Sequence, residues 1–253
     1  MKLACIIPVR NMASTVGHAI DSAFAAGCDE VVVVDDYSTD DTPMVLASYG
    51  NRIIVWRWPQ KPSDWVAAQR VVWDATKADH YTWLGADDWL MPCFGDVVRK
   101  HAAAAVVFTD YVVVSPKSET LWTISQDVEK PTHLTPEEMR ARVQSPRNAT
   151  ETGSGSSLRS DVARWLWASG FDAMGPHADS VGYTTAACLF GCTLLPFVGA
   201  AFTHTATSYS RPADKTPDQW IAEGLVCKAW MESVGLDEPT TRAIAHKRCH
   251  LAW

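Results

Sequence analysis

Three polar clusters at the ends of apolar runs carry most of the chemical information in this chain. Arg10-Asn11 closes the run Leu3 to Val9, Asp35-Asp36 closes Glu30 to Val34, and Asp87-Asp88 follows His80 to Leu84 across Gly85-Ala86. Carboxylates are hard oxygen donors, and Mg²⁺ or Mn²⁺ is typically held by one or two of them together with substrate phosphates. At the ends of parallel strands such groups would share the rim where α/β proteins bind their ligands. The pattern implies an enzyme that holds a nucleoside diphosphate through a metal ion.

The elements that would position these groups are legible from periodicity. Leu3 to Val9 and Glu30 to Asp36 are unbroken, partly β-branched runs, too short for amphipathic helices, which fits strands covered on both faces. Between them Val16, Ile20, Ala23 and Phe24 recur at helical spacing and Gly27 follows, predicting a helix from about Ser14 to Ala26 that ends on a left-handed residue. Thr42-Pro43 reads as an N-cap followed by proline at the first helical position. Arg52 to Trp58 predicts a third strand, Trp65 to Thr76 a helix, and His80 to Leu84 a fourth strand. Alternating strands and helices imply right-handed crossovers and a mostly parallel central sheet flanked by helices.

Composition narrows the class. At 253 residues the chain can build one sizeable core, and a net charge of -7 argues against a protein whose main business is coating nucleic acid. The start MKLACIIPV lacks the pattern of a secretory signal, and no run approaches the roughly 20 apolar residues that span a bilayer, so the expectation is a cytoplasmic protein without a transmembrane segment. Seven cysteines without a CxxC pair support neither a disulfide framework nor a zinc site. Ser115 to Ser157 is rich in turn formers and reads as loops around one or two short elements; Pro217 to Val234 and Glu238 to His250 read as helices of a C-terminal extension.

In order and spacing, IIPVRN, VVVVDDYSTDDT and GADDWLMP resemble the motifs IIPxYN, VVDDGSTDxT and LDxDDxxxP of the family 2 glycosyltransferases. The likeness is close over residues 3 to 92 and thinner beyond. It implies a GT-A fold of the α/β class, with residues 1–112 as the nucleotide-sugar half, 113–212 as the acceptor half of the same domain, and 213–253 as the helical extension. The implied activity is an inverting hexosyl- or N-acetylhexosaminyl-transfer from a nucleoside-diphosphate sugar, a UDP-sugar favoured, to a hydroxyl of a glycan, a protein or a small molecule. The implied cofactor is Mn²⁺ or Mg²⁺.

The resemblance also implies residue roles. Asp36 would accept a hydrogen bond from the base, with Pro8, Arg10 and Asn11 as the wall beside it; the alternative is that Asp35 and Asp36 only cap the next turn. Asp88 would ligate the metal and Asp87 would face the ribose or donor sugar, against the alternative of a solvated turn. Arg70 would touch the base or diphosphate, or make a surface ion pair. Gly170-Phe171-Asp172 and His177-Ala178-Asp179 resemble the family's GFDE...ED segment and make Asp179 the general base, while its position also permits an N-cap near Val181. With an unperturbed pKa of about 3.9 an aspartate is ionised at neutral pH and can take the acceptor's proton. His204, in FTHTATSYSR, would be a third metal ligand or a phosphate contact, or a structural histidine. Trp89, beside the acidic pair, is the tryptophan best placed to touch a ligand.

Three positions depart from the family pattern: Gly85 stands where the first aspartate is common, Arg10 for tyrosine, and Tyr37 for glycine. Two other classes compete. A nucleotidyltransferase acting on sugar phosphates would share the strand ends, and so would a dehydrogenase, but the GxGxxG of dehydrogenases and the GxxxxGK[ST] of P-loop enzymes are both absent and VRNMAST carries no glycine. A non-catalytic sugar-nucleotide or glycan-binding relative would fit Ala178, where the family's glutamate is usual.

Overall fold

The structure is a computed structural model that describes residues 1–58, 72, 76–145, 155–171, 174, 178–204 and 216–249. The first apolar run forms β1 (Leu3–Val9) and the second β2 (Glu30–Asp35), paired in parallel from Ala4↔Glu30 to Val9↔Asp35. The two strands therefore end level, and Arg10 and Asp36 emerge side by side. Between them α1 (Val16–Ala25) ends in a Schellman arrangement: Gly27 takes φ 87° and donates to Phe24 O, while Cys28 N–H reaches back to Ala23 O.

α2 (Thr42–Ser48) begins one residue off the expected register. Its N-cap is Asp41, and the Thr42 hydroxyl accepts Met12 N–H at 2.9 Å, so Thr42 ties two loops together and does not cap the helix. Then come β3 (Ile54–Arg57), β4 (His80–Trp83), the short β5 (Trp89–Leu90), α3 (Phe94–Arg99) and β6 (Val106–Val114). The helix expected over Trp65 to Thr76 lies outside the described residues apart from Val72 and Thr76.

The stretch read as loops is more structured than expected. It contains β7 (Thr120–Ile124), β8 (Thr132–Leu134) and α4 (Pro136–Gln144), with β9 (Ser156–Arg159) starting at its end. Thr135-Pro136-Glu137-Glu138 is a capping box with proline at the first turn, a signal legible in the sequence that the abundance of turn formers masked. α5 (Ser160–Ala168), α6 (Ala178–Phe190), β10 (Cys192–Thr203), α7 (Pro217–Ser233) and α8 (Glu238–Cys249) complete the chain.

Ten strands make one sheet among the described residues, ordered β3-β2-β1-β4-β9-β6-β10-β5, with β7 added to β6 and β8 to β10. β9 runs antiparallel between β4 and β6, so β1, β2, β3, β4, β6 and β10 all point the same way. Their carboxyl ends share one edge. Ala4, Ile6, Val32, Val34 and Phe108 pack on one face against α4 to α8, and Leu3, Cys5, Ile7, Val31 and Val33 on the other against α1 and α3. The alternation of strand side chains thus builds two cores from one sheet. Cys227, Trp230, Met231 and Ile244 of the last two helices are buried in the first core. No described helix is long and apolar enough to cross a membrane.

β10 is irregular where it matters. Its pairing with β6 slips at Leu195/Val198 and again at Val198/Ala200, and a β-carbon at Gly199 would stand 2.2 Å from Thr109 Oγ1. That hydroxyl is held by Gly155 O at 2.6 Å. The bulge sets where the strand delivers Thr203 and His204 to the edge. Gly199→Ala is expected to cost about 1–3 kcal/mol by overpacking, read as a lower urea midpoint; an unchanged midpoint would show that Thr109 can move away freely.

Candidate active site at the carboxyl edge of the sheet

The loops after β1 and β2 are laced together through side chains. Asn11, in the left-handed region at φ 51°, donates its N–H to Ser38 Oγ at 2.9 Å and accepts Thr39 N–H on Oδ1 at 2.8 Å. Ala13 N–H reaches Asp40 Oδ2 at 3.1 Å. Asp35, 1% exposed, accepts Ser38 N–H at 2.9 Å and pairs with Arg57 Nε at 3.4 Å, while Arg57 Nη2 donates to Ser38 O. Two sequence readings of the Asp35-Asp36 pair therefore separate: Asp35 caps the turn, and Asp36, buried at the rim, is anchored through its own N–H to Val9 O at 2.9 Å. Tyr37 holds φ 58°, a conformation glycine adopts without steric cost and a tyrosine does not. Pro8 is partly buried within β1, and Arg10 is exposed at its end.

The acidic pair sits in a loop that leaves β4 and crosses to the far side of β10. Leu84 N–H still bonds Ile6 O beside β1, and five residues later Trp89 and Leu90 pair with Ala201 and Ala200. Beyond that short ladder the Asp88 side chain takes over: Oδ1 accepts Thr203 N–H at 2.7 Å, and the Thr203 hydroxyl donates to Asp87 O. One threonine thus grips both aspartates. Asp88 is 3% exposed, and burial, reinforced by the charge of Asp87, pushes its carboxyl well above the ordinary range against the pull of the Thr203 and Gly85 backbone groups. Burial raises Asp87 as well.

Gly85 is explained by the same packing. A β-carbon there would meet Asp88 Oδ2 at 2.6 Å and Asp87 Oδ1 at 3.1 Å, so the carboxylates fold over the place that an aspartate often fills in the resembling motif. Two close, desolvated carboxylates are a donor set suited to a hard divalent cation, whose charge would relieve the cost of ionising them. Among the described residues no three His, Cys, Asp or Glu side chains surround a common point.

His204 follows Thr203 directly. Its N–H bonds Val114 O at 2.8 Å, and its ring meets Trp122 of β7 with centroids 5.6 Å apart. Trp89 packs instead on His18 of α1 at 5.3 Å. Asp179 lies in the first turn of α6, which starts at Ala178, so it is not the cap of a helix beginning near Val181; Oδ1 accepts Ser180 N–H at 2.6 Å. One turn on, Tyr183 is fully buried with no hydrogen-bond partner for its hydroxyl among the described residues. Burial first, then the charge of Asp179, raises its phenol. The Tyr183 ring packs edge-on against Trp83, two residues before Gly85, which links α6 to the acidic loop. Arg70, Asp172 and His177 lie outside the described residues.

The structure thus gathers Pro8, Arg10, Asn11 and Asp36 at the ends of β1 and β2, and Asp87, Asp88 and His204 around the end of β10, on one edge of one sheet. Thr203, Arg57, Tyr183 and Trp122 escaped sequence reasoning. Thr203 stood inside a quoted segment, but nothing in residue type marks a backbone N–H as the acidic pair's partner.

Residues 4–167 match the family described as glycosyl transferase family 2. The chain belongs to that family. The matched stretch holds Asp36, Asp87 and Asp88 and ends before Asp179 and His204. Uncharacterized glycosyltransferases of Rickettsia typhi and Rickettsia prowazekii are each 27% identical over 132 residues, covering 49% of this family 2 chain and 41% of the relative. The chain therefore matches about two-fifths of the length of these relatives. S. aureus TarS 1-349 superposes with a TM-score of 0.69 at 16% identity, covering 98% of this chain and 70% of that one, and its complex with UDP-GlcNAc with a TM-score of 0.69 at 18% identity, covering 98% and 71%. At that identity the likeness establishes the GT-A fold.

The raised Asp88 carboxyl fixes a sign. The folded chain binds its proton more tightly than the unfolded chain, whose aspartate titrates near about 3.9, so stability falls as pH rises from there through the folded-state value. Without metal, Asp88→Asn, whose amide oxygen can still accept Thr203 N–H, is expected to melt higher than the parent at pH 7.5 and level with it near pH 4. Thermal scans in EDTA check this; a variant that melts lower at both pH values would show that the carboxylate is not held at a cost.

Proposed function

We propose that this family 2 chain is a metal-assisted, inverting glycosyltransferase that moves a hexosyl or N-acetylhexosaminyl group from a UDP-sugar to an acceptor hydroxyl. The observation that carries the reading is the Asp87-Asp88 pair, half-buried and buried in turn, gripped by Thr203 on the same edge as Asp36. UDP as the nucleotide is supported by the TarS structures, which hold UDP-GlcNAc and UDP in a chain of the same fold. A reducing compartment, the cytoplasm, is supported by six free cysteines among the described residues, five of them buried.

In this scheme the base lies against Pro8 and Asn11 and donates to the Asp36 carboxylate, which a base with the wrong edge would leave unpaired. Arg10, exposed beside it, adds a cation near the phosphates. Mn²⁺ or Mg²⁺ would be held by Asp88, with Asp87 toward the sugar and His204 alongside, and when bound would neutralise charge on the diphosphate. Asp179 takes the acceptor's hydroxyl proton as the acceptor oxygen bonds to the anomeric carbon. The bond from that carbon to the phosphate oxygen breaks on the opposite face, its electron pair leaving with the nucleoside diphosphate. Carbon is attacked from behind, so its configuration inverts.

Two measurements test this. UDP with Mn²⁺ is expected to raise the melting temperature of the parent by several degrees, as a ligand of the native state does, and Asp88→Ala to abolish that rise; a larger rise with another nucleoside diphosphate would replace uridine. Asp179→Asn is expected to lower transfer by about 10²–10⁴-fold, the range of general-base catalysis, while the UDP-dependent rise persists. Full turnover by Asp179→Asn would assign the proton to another group.

A further inference from the structure

A carboxylate within the sheet has no part in the reaction outlined above. Asp110 of β6 is partly exposed, although its neighbours along the strand, Thr109 and Tyr111, are buried. Its Oδ1 accepts Gln126 N–H at 2.6 Å, and among the described residues neither a second donor nor a cation meets the carboxylate. Gln126 is fully buried. Its Nε2 donates to Thr109 O at 3.0 Å, which leaves Oε1 buried with no donor among the described residues. Two acceptors at one point of the sheet thus lack partners, a deficit that calls for an account in a native structure.

Strand register fixes where that point lies. Leu158 of β9 pairs with Tyr81 of β4 on one side and Val106 of β6 on the other, and Gly85 and Asp110 are each the fourth residue beyond that level on parallel strands. In β1 the same height belongs to Pro8, because Ile6 is level with Trp83. Asp110 therefore stands where β1 and β4 give way to the loops that carry Asn11 and the acidic pair. β9 stops short of it, at Ser156 opposite Phe108, and β7 pairs with β6 only from Tyr111 on, so Gln126 fills a break in the pairing of β6. Alternation puts Asp110 on the face of Val106 and Phe108, opposite to that of Val107, Tyr111 and Val113. α6 packs on β6 and runs against it, since Phe190 leads into the start of β10 at Cys192, so its first turn, with Asp179, is at the carboxyl edge above that face.

We propose that Asp110 reads the sugar being transferred, its carboxylate accepting hydroxyl protons of the pyranose that the nucleoside diphosphate carries. This rests on the glycosyltransferase reading above and adds to it the residue that selects the sugar. A pyranose supplies the hydroxyl donors that this point of the sheet lacks. An epimer whose hydroxyl points elsewhere would leave the carboxylate unpaired, which is how a hydrogen-bonding site discriminates. The donor sugar is tethered to the diphosphate that the acidic pair would hold, and Gly85, level with Asp110, is two residues ahead of Asp87. The bond from Gln126 N–H holds the carboxylate in one orientation before the sugar arrives, which lowers the entropy lost on binding.

Calorimetry on the full chain with Mn²⁺, comparing UDP with UDP-glucose, UDP-galactose and UDP-N-acetylglucosamine, tests this. In Asp110→Asn the amide oxygen can still accept Gln126 N–H, so the fold is expected to be kept; Asp110→Ser serves as the second variant if the first melts lower without ligand. UDP affinity is expected to stay at the parent's value, while the UDP-sugar that the parent binds best weakens about tenfold or more, the scale of one hydrogen bond to a charged group. Unchanged affinity for every UDP-sugar overturns the proposal. Equal losses for UDP and the UDP-sugars also overturn it, because Asp110 would then only brace Gln126. If the parent binds none of the four ligands, the uridine-nucleotide reading fails and this proposal with it, whereas UDP-sugar binding that ignores Asp110 leaves that reading intact.

Discussion

A strand edge that lacks a partner strand governs the geometry of this site. β5 pairs with β10 only at Ala200 and Ala201, and the next outward N–H, that of Thr203, would be left unsatisfied in a buried setting. Asp88 supplies the acceptor. A carboxylate side chain thus continues the ladder that β5 begins, which fixes the depth of the acidic pair and explains three local features together. The loop must cross from β4 to the far side of β10, residue 85 must lack a side chain because the carboxylates lie over it, and the Gly199 bulge must deliver Thr203 in register. The cost is visible in the direction of the Asp87 and Asp88 titrations, since each carboxyl is harder to ionise than in water. A site that is unfavourable when empty and charged has free energy to release on binding a cation.

The other half of the edge is assembled on a different principle. There the loops after β1 and β2 satisfy each other: main-chain N–H groups of residues 11 to 13 donate to Ser38, Thr42 and Asp40, and the Asn11 side chain returns a bond to Thr39. This lattice braces the wall near Asp36 through neutral hydrogen bonds and exposed Asp40, and of the two carboxylates buried there Asp35 is paired with Arg57. Positive φ at Asn11 and Tyr37 is the conformational cost of turning two chains tightly enough to interlock.

How much of this could be read in the residues depends on the range of the interaction. β1, β2, α1 and the glycine after it are local patterns, a run or a period, and the structure places them within a residue or two of expectation. The grouping of Asp36 with Asp87 and Asp88 at one edge was also legible, because parallel crossovers dictate which strand ends meet. Thr203 was not, since its contribution is a backbone N–H and depends on a register 115 positions away along the chain. Which of Asp35 and Asp36 ties down the turn was ambiguous for a related reason: both are buried carboxylates at a strand end, and the bonds of Asp35 to Ser38 N–H and to Arg57 on β3 come from elsewhere in the chain. β7 and α4 were missed differently. Their signals, including the Thr135–Glu138 capping box, were present but diluted among serines, prolines and lysines that favour turns.

α6 carries a second local cost in stability. The Tyr183 hydroxyl is buried with no hydrogen-bond partner among the described residues, a deficit of about 1–3 kcal/mol for an ordinary core. A phenylalanine would fill the same volume at no such cost. Tyr183 stands one turn beyond Asp179 on α6 and feels its charge, while its ring braces Trp83 ahead of the acidic loop. Burial and the neighbouring Asp179 charge both disfavour ionising the phenol, which therefore stays neutral. Unpaired polarity at Tyr183 and costly ionisation at Asp88 thus bear on the same loop, one through Trp83 ahead of it and the other within it. Both are uneconomical for folding, the pattern expected where local rules are broken at a functional site.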